Sequence, residues 1–412
     1  MKITLVRHGQ TTHNATSTWQ GHEEGTLSEV GRLQARGAGN RLSGKDFDVV
    51  VASDLGRAIE SADLMNLDYE VGPAWREVDV GDWAGRTHAE VASIDRDRLL
   101  ALRRGDDVRL GGGESIVEFG LRVREALDRL RDRLASDVGD DGTALVITHG
   151  GVIMSLVNGL WRLPFGPDNP TAPITNTALT TLEFGFGRWR VGGFNDASHL
   201  GPSTGFAADR AASGDPVLTF VRHGETDANV QELWQGQSDW GLNDVGRAQA
   251  ARLAQWYEPG GPIYSSPLGR AHQTASALNG GSPVLVDGLK EISMGAWEGL
   301  HGEAIKAGWP DLWRRTFEEH EDLKRGGDGE SVAELMERMR VTVDQLAGRR
   351  HDGRITVVSH GSAIRAFVVS VLGGGNEVFR STGLLPNTGM ANVVMTERGY
   401  RLADYGIAPH LD

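Results

Sequence analysis

The chain has 412 residues, enough for two ordinary domains, and carries a net charge of −14 that both halves share. Neither half has the basic field that nucleic-acid binding requires, so no nucleic-acid partner is expected. With no cysteine, disulfides, thiolate metal sites and cysteine nucleophiles are excluded. No apolar run is long enough to span a membrane, and Met1-Lys2-Ile3 leads directly into a strand without room for a signal peptide, so the expectation is a cytoplasmic enzyme.

In chain order, β-type runs at 2–6, 48–53, 143–149 and 178–184 alternate with helical patterns at 27–42, 55–65, 115–135 and 152–161. The helix at 115–135 places Phe119, Val123, Leu127, Leu130 and Leu134 on one face, with charges along Arg122 to Arg133 reading as its solvated side. The second half repeats this order. TLSEVGRLQA (26–35) matches GLNDVGRAQA (241–250), and WREVDVGDWAG (75–85) matches LKEISMGAWEG (289–299). GGGESIVEF (111–119) matches GDGESVAEL (327–335), and LVITHGGVI (145–153) matches TVVSHGSAI (356–364). A period near half the chain is a duplicated domain. The expected organisation is a domain at 1–200, a flexible Gly/Ala/Ser-rich linker at 201–215 and a second domain at 216–412. Alternating β and α elements predict an α/β fold, with a doubly wound, mainly parallel sheet in each domain.

Chemistry concentrates where strands end. Arg7-His8-Gly9 and Arg222-His223-Gly224 each follow a strand, as do His149 and His360, while Arg57 and Arg270 open helices just past another strand. Parallel strands present their carboxyl ends along one edge, where ligands of open α/β sheets bind. Two guanidiniums and two imidazoles around one point suit a phosphoryl dianion, which Arg holds bidentately. The neighbouring cations also disfavour protonation of an adjacent imidazole. His8, His149 and Glu77 formally match a two-His-one-carboxylate metal set, but adjacent arginines repel a divalent ion and no ligand pair has helical spacing, so neither metal nor cofactor is expected.

The strand–RHG–x–T–x–x–N opening, the S-D/P-L-x-R-A helix, the E-[VI]-x-x-G-x-W turn, the G-E-S segment and the late T/S-H-G together resemble the histidine phosphatase superfamily of phosphoglycerate mutase type, twice. The resemblance implies that His8 and His223 form phosphohistidines that water hydrolyses. It implies that Arg7, Arg57 and His149, and Arg222, Arg270 and His360, hold the phosphoryl group, with Asn14 and Asn229 near it. Glu77 and Glu291 would protonate the leaving oxygen and then activate water.

Within the family, the first half is similar to glucosyl-3-phosphoglycerate phosphatases and the second to α-ribazole and broad-specificity phosphatases. A phosphatase for small phosphorylated metabolites, sugar-phosphate or phosphoglycerate-like esters, is therefore expected. A cofactor-dependent mutase or a protein-directed phosphatase is the alternative; the short segment over the site favours hydrolysis, because a mutase must shield its phosphohistidine from water. An oligomer is compatible with the sequence. Trp19, Trp83, Trp234 and Trp297 read as packing residues, Gln20 and Gln235 as possible pocket lining, and His13, His22, His88, His272, His301, His320 and His351 as surface residues. Ser115 and Ser331 fit either a phosphate contact or a helix start. Arg103, Arg104, Arg109, Arg314 and Arg315 read as a solvated basic patch, or as a site for a second acidic group on the substrate.

Overall fold

In the computed structural model, which describes residues 1–166, 168–202, 204–278, 282–348 and 353–411, the chain divides into two compact units. One comprises Met1–Asn169 with Pro173–Gly201, the other Pro202–Asp412 with Pro170–Ala172.

In the first unit the strands are β1 (Lys2–Arg7), β2 (Val49–Ala52), β3 (Glu70–Val71), β4 (Thr143–Thr148), β5 (Leu179–Gly185) and β6 (Arg188–Asp196), ordered β3-β2-β4-β1-β5-β6. The first four are parallel, and β5 and β6 extend the sheet antiparallel on the β1 side. Pleating sends Val6, Ala52, Leu145 and Ile147 to one face, where Ala35, Ala38 and Leu42 of helix Glu29–Leu42 and Ala58 and Ala62 of helix Gly56–Leu64 cover them. Helices Ile116–Asp137 and Gly150–Trp161 pack together, the latter also against β1. The expected face of the former is buried, Phe119, Val123, Leu127, Leu130 and Leu134 included. Each such side chain contributes about 1.5–3 kcal/mol by leaving water.

The second unit repeats this plan with β7 (Val217–Arg222), β8 (Ile263–Ser265), β9 (Val284–Leu285), β10 (Arg354–Ser359), β11 (Met390–Thr396) and β12 (Gly399–Ile407) in the order β12-β11-β7-β10-β8-β9. Here β7, β8, β9 and β10 are parallel, and β11 and β12 antiparallel.

The predicted elements differ from the structure in three places. The expected coil at 201–215 contains a helix, Phe206–Ala212, whose Phe206, Ala207 and Ala211 cover Val217, Val394 and Ala403 of the second unit. One aromatic and two alanines make an apolar face too short to show as periodicity. The hairpin strands β6 and β12 carry Gly and charged residues that mask alternation. The segment before Gly-Glu-Ser forms two short helices, His88–Ile94 and Arg96–Arg103.

Candidate active site

Register places the chemistry. β1 and β4 pair in parallel with Arg7 opposite Thr148, so His8 and His149 emerge side by side with ring centroids 5.2 Å apart. In the second unit Arg222 lies opposite Ser359, and His223 and His360 are again 5.2 Å apart. Gly9 lets the loop turn against helix Glu29–Leu42, because a Cβ there would lie 2.4 Å from the Gly31 carbonyl oxygen. Its N–H is held by Ser61 Oγ at 3.0 Å, as Gly224 N–H is by Thr274 Oγ1 at 3.0 Å.

The tautomer of the loop imidazoles is set by the backbone. His8 Nδ1 lies 2.7 Å from the Gly9 carbonyl oxygen, and His223 Nδ1 lies 2.7 Å from that of Gly224. A carbonyl only accepts, so Nδ1 carries the hydrogen and Nε2 keeps its lone pair. Burial holds both imidazoles well below their ordinary pKa, helped by Arg57 and Arg7 at His8 and by Arg222 and Arg270 at His223. His149 and His360 are lowered likewise, first by burial and then by Arg57 and Arg270 respectively. His149 Nε2 meets Ser53 Oγ, and His360 Nε2 meets Ser266 Oγ, each at 2.8 Å.

The arginines are anchored by one end only. Arg57 donates to the carbonyl oxygens of Gly21 (2.8 Å) and Glu23 (3.2 Å), and Arg270 to those of Gly236 and Ser238, both 2.8 Å. Burial lowers each to about 10, which still leaves it charged at neutral pH. Arg7 and Arg222 donate to the Ile174 and Leu385 carbonyls. Among the described residues, Nε of Arg7, Arg57, Arg222 and Arg270 and Nδ1 of His149 and His360 are buried with no partner. An unmet buried donor costs about 1–3 kcal/mol. Each unit thus has two unmet guanidinium N–H donors and one unmet imidazole nitrogen beside its loop imidazole, an arrangement able to receive an anion.

Glu77 reaches helix Gly150–Trp161 from the opposite wall, accepting from Gly151 N at 3.0 Å and Val78 N at 2.9 Å. Glu291 accepts from Ser362 N (3.1 Å), Ala363 N (3.0 Å) and Ile292 N (2.8 Å). The seating differs because Glu77 Oε1 occupies the place of a residue-151 Cβ, which would lie 2.1 Å away, whereas the second unit has Ser362 there. Asn14 Oδ1 accepts from Thr11 N and Asn176 Nδ2, and Asn229 Oδ1 from Thr226 N and Asn387 Nδ2. In the first unit Arg7, His8, Asn14, Gln20, Arg57 and Glu77 line one cleft of about 470 Å³.

Several supporting residues escaped the sequence reading. Arg122 is not on a solvated face: it donates to the carbonyl oxygens of Ala74, Arg76 and Glu77 and binds both oxygens of Glu114. Arg338 and Glu330 do the same beneath Glu291. The Gly-Glu-Ser glutamates thus orient an arginine that fixes the catalytic-candidate carboxylate's backbone. Asn176 Nδ2 and Asn387 Nδ2 hold the His8 and His223 carbonyl oxygens at 3.0 Å. Each asparagine precedes a threonine in the left-handed region, Thr177 (φ 60°) and Thr388 (φ 58°), which is costly for a β-branched residue. His199 and His410 meet those threonine hydroxyls at 3.0 and 2.8 Å.

Other expectations are corrected. His22 is partly buried, with Nε2 2.8 Å from the Glu77 carbonyl oxygen, and His320 is partly buried beside Arg380. Trp19 packs against Trp83 and also lines the cleft, whereas His88 is exposed and Trp83 and Trp297 are buried in packing, as expected. Ser115 and Ser331 cap helices. Among the described residues, the solvated arginines expected as a basic patch are each paired with an acid: Arg104 with Asp106, Arg109 with Glu118, Arg314 with Glu319 and Arg315 with Glu321. His351 and the Arg103 side chain lie outside the described residues. Among the described residues, no group of three or more His, Asp or Glu is placed to hold a metal ion, and no helix is long and apolar enough to cross a membrane.

The depressed imidazoles predict how stability responds to acid. Unfolded histidine titrates near pH 6.5, so below that pH the unfolded chain binds protons that the folded one refuses. Stability is therefore lost as pH falls, by up to ~1.4 kcal/mol per pH unit for each imidazole. Calorimetric midpoints should decline steadily from pH 7 to pH 5.5, above the carboxylate range. A flat midpoint over that window would mean that the folded imidazoles take up protons freely.

Comparison with known proteins places this geometry. Residues 3–197 and 218–408 each match the model of the histidine phosphatase superfamily (branch 1). A glucosyl-3-phosphoglycerate phosphatase of Mycolicibacterium vanbaalenii is 36% identical over 173 residues, 40% of this chain and 75% of that protein. Phosphoserine phosphatase 1 of Hydrogenobacter thermophilus is 32% identical over 199 residues, 47% of this chain and 93% of that protein. A solved mycobacterial glucosyl-3-phosphoglycerate phosphatase carrying VO3 is 32% identical, covers 46% of this chain and 96% of its own, and has a TM-score of 0.41. Each relative thus spans about one unit, and the chain, a phosphoric monoester hydrolase, belongs to the histidine phosphatase superfamily through two tandem copies of its domain.

Proposed function

We propose that each unit hydrolyses small phosphomonoesters through a phosphohistidine, His8 in the first and His223 in the second, without a metal. The carrying observation is the paired set of buried, unpartnered donors around each imidazole lone pair. A phosphoryl group fits there: Arg7, Arg57 and His149, or Arg222, Arg270 and His360, neutralise its oxygens while Nε2 attacks phosphorus. Fixed donors are worth most as transition-state charge spreads over those oxygens. Splitting one displacement into two lowers the barrier of each. Glu77 or Glu291 gives a proton to the departing alkoxide and then takes one from the water that releases phosphate. Asn14 and Asn229 border the phosphate.

The direct test is trapping. Turnover of a phosphomonoester quenched in alkali, where phosphohistidine survives, should yield peptides phosphorylated on His8 and on His223. A phosphorylated serine, or no phosphopeptide during burst-phase turnover, would overturn the reading. Prolonged chelation should leave kcat/KM unchanged, because the proposed positive charges are side chains. Loss on chelation and recovery with added Mg²⁺ or Zn²⁺ would replace the arginine clamp with a metal centre.

A further inference from the structure

Beyond the phosphate clamp, the first-unit cleft has an apolar wall formed by Trp19, Leu110, Phe119, Met154, Leu163 and Phe165. Phe165 stands at this wall 45% exposed, although it is a large apolar side chain. Among the described residues, Arg7 and Arg57 are the only Arg or Lys to line the cleft, and Glu77 is the only carboxylate that does. Polar groups on the wall are few and partly engaged. Asn158 Oδ1 accepts from Asn169, and Thr18 Oγ1 donates to the His13 carbonyl, leaving Ser155, His88 and Gln20, whose Nε2 is buried without a partner. A substrate's second anion would meet no lining cation beyond the phosphate clamp, since Arg124, with Nη2 3.2 Å from where a Gly159 Cβ would stand, does not itself line the cleft, and a hydroxyl-rich alcohol would replace few of its hydrogen bonds to water.

The two units diverge at this wall. Met154 is the fifth residue after His149, and the fifth residue after His360 is Arg365. In the second unit that guanidinium lies 3.6 Å over the Phe379 ring and donates to the Thr382 carbonyl oxygen at 3.3 Å. The same helix position thus carries a thioether in one unit and a cation in the other.

We propose that the first-unit site selects monophosphate esters of apolar alcohols, alkyl or arylalkyl, over esters bearing a second anionic group. This inference rests on the phosphohistidine reading. The His8 Nε2–phosphorus bond forms as the phosphorus–alcohol oxygen bond breaks. The alkoxide leaves with the Glu77 proton, and water then releases inorganic phosphate.

The test uses the full chain with His223→Ala, so that turnover reports the first unit. 2-Phenylethyl phosphate and 3-phosphoglycerate both expel primary alkoxides, which matches their demand for a proton donor. The expected kcat/KM ratio favours the phenylethyl ester by about 10-fold or more, the scale of discrimination in an apolar pocket. Met154→Arg, and independently the more exposed Phe165→Arg, should shrink or invert that ratio. An equal or inverted ratio in the parent, still dependent on His8, would overturn the apolar selection while leaving the phosphatase mechanism intact. A ratio unmoved by both arginine variants would also overturn it. Inactivity of the unsubstituted chain toward both esters and toward p-nitrophenyl phosphate would overturn both readings.

Discussion

Replacing His8 and His223 together with alanine should reduce phosphomonoester turnover by about 10⁴-fold or more, the usual scale for removing a covalent nucleophile. Either single replacement should remove only one unit's share. The geometry gives the reason. Each imidazole has Nδ1 committed to the following carbonyl, which leaves one lone pair in each site aimed toward the clamp. In the neighbouring rings it is Nε2 that is engaged, with a serine hydroxyl, so His149 and His360 do not share the Nδ1-anchored arrangement of His8 and His223. The loss should not reflect unfolding. Burial and the nearby guanidiniums favour the neutral imidazole that each site already holds, so alanine takes no charge out of the folded state and the thermal midpoint at neutral pH should stay near its original value. The informative measurement is kcat/KM for a generic ester in both singles and the double, with midpoints recorded alongside. Retained turnover in the folded double variant would mean that another group attacks phosphorus.

Much of this site was legible because the chain holds two copies of it. Arg7, His8, Arg57, Glu77 and His149 recur with their flanks, and strand-end positions identify the edge they share. The supporting residues were equally duplicated, yet their chemistry was hidden by their element types. Arg122 and Arg338 sit within charged helical stretches, where a solvated face is the ordinary reading, and only folding brings them under the Glu77 and Glu291 carbonyls. Asn176 and Asn387 lie in irregular segments before a late strand, and their role depends on threonines at positive φ, which no propensity anticipates. Ser53 and Ser266 meet His149 and His360 only once the parallel strands pair. Helix Phe206–Ala212 illustrates the opposite limit: its small apolar face gains meaning only against Val217, Val394 and Ala403.

Glu77→Gln in the His223→Ala background, and Glu291→Gln in the His8→Ala background, should each slow hydrolysis of alkyl phosphates by about 10²–10⁴-fold. With aryl phosphates the loss should be much smaller, since a phenolate departs with little help from a proton. The amide also perturbs local hydrogen bonding. Glu77 accepts from Gly151 N and Val78 N through different oxygens, and glutamine must turn an N–H toward one of them. Glu291 accepts three backbone N–H groups, two at the start of helix Gly361–Val371, so the disturbance should be larger there. Such a disturbance depresses both substrate classes alike, whereas loss of a proton donor depresses the alkyl esters selectively. The alkyl-to-aryl ratio of the kcat/KM losses therefore separates the two effects within one variant. Equal losses on both classes, in variants whose midpoints match the parent, would remove the proton-donor role from these glutamates and leave the imidazole and arginine assignments standing.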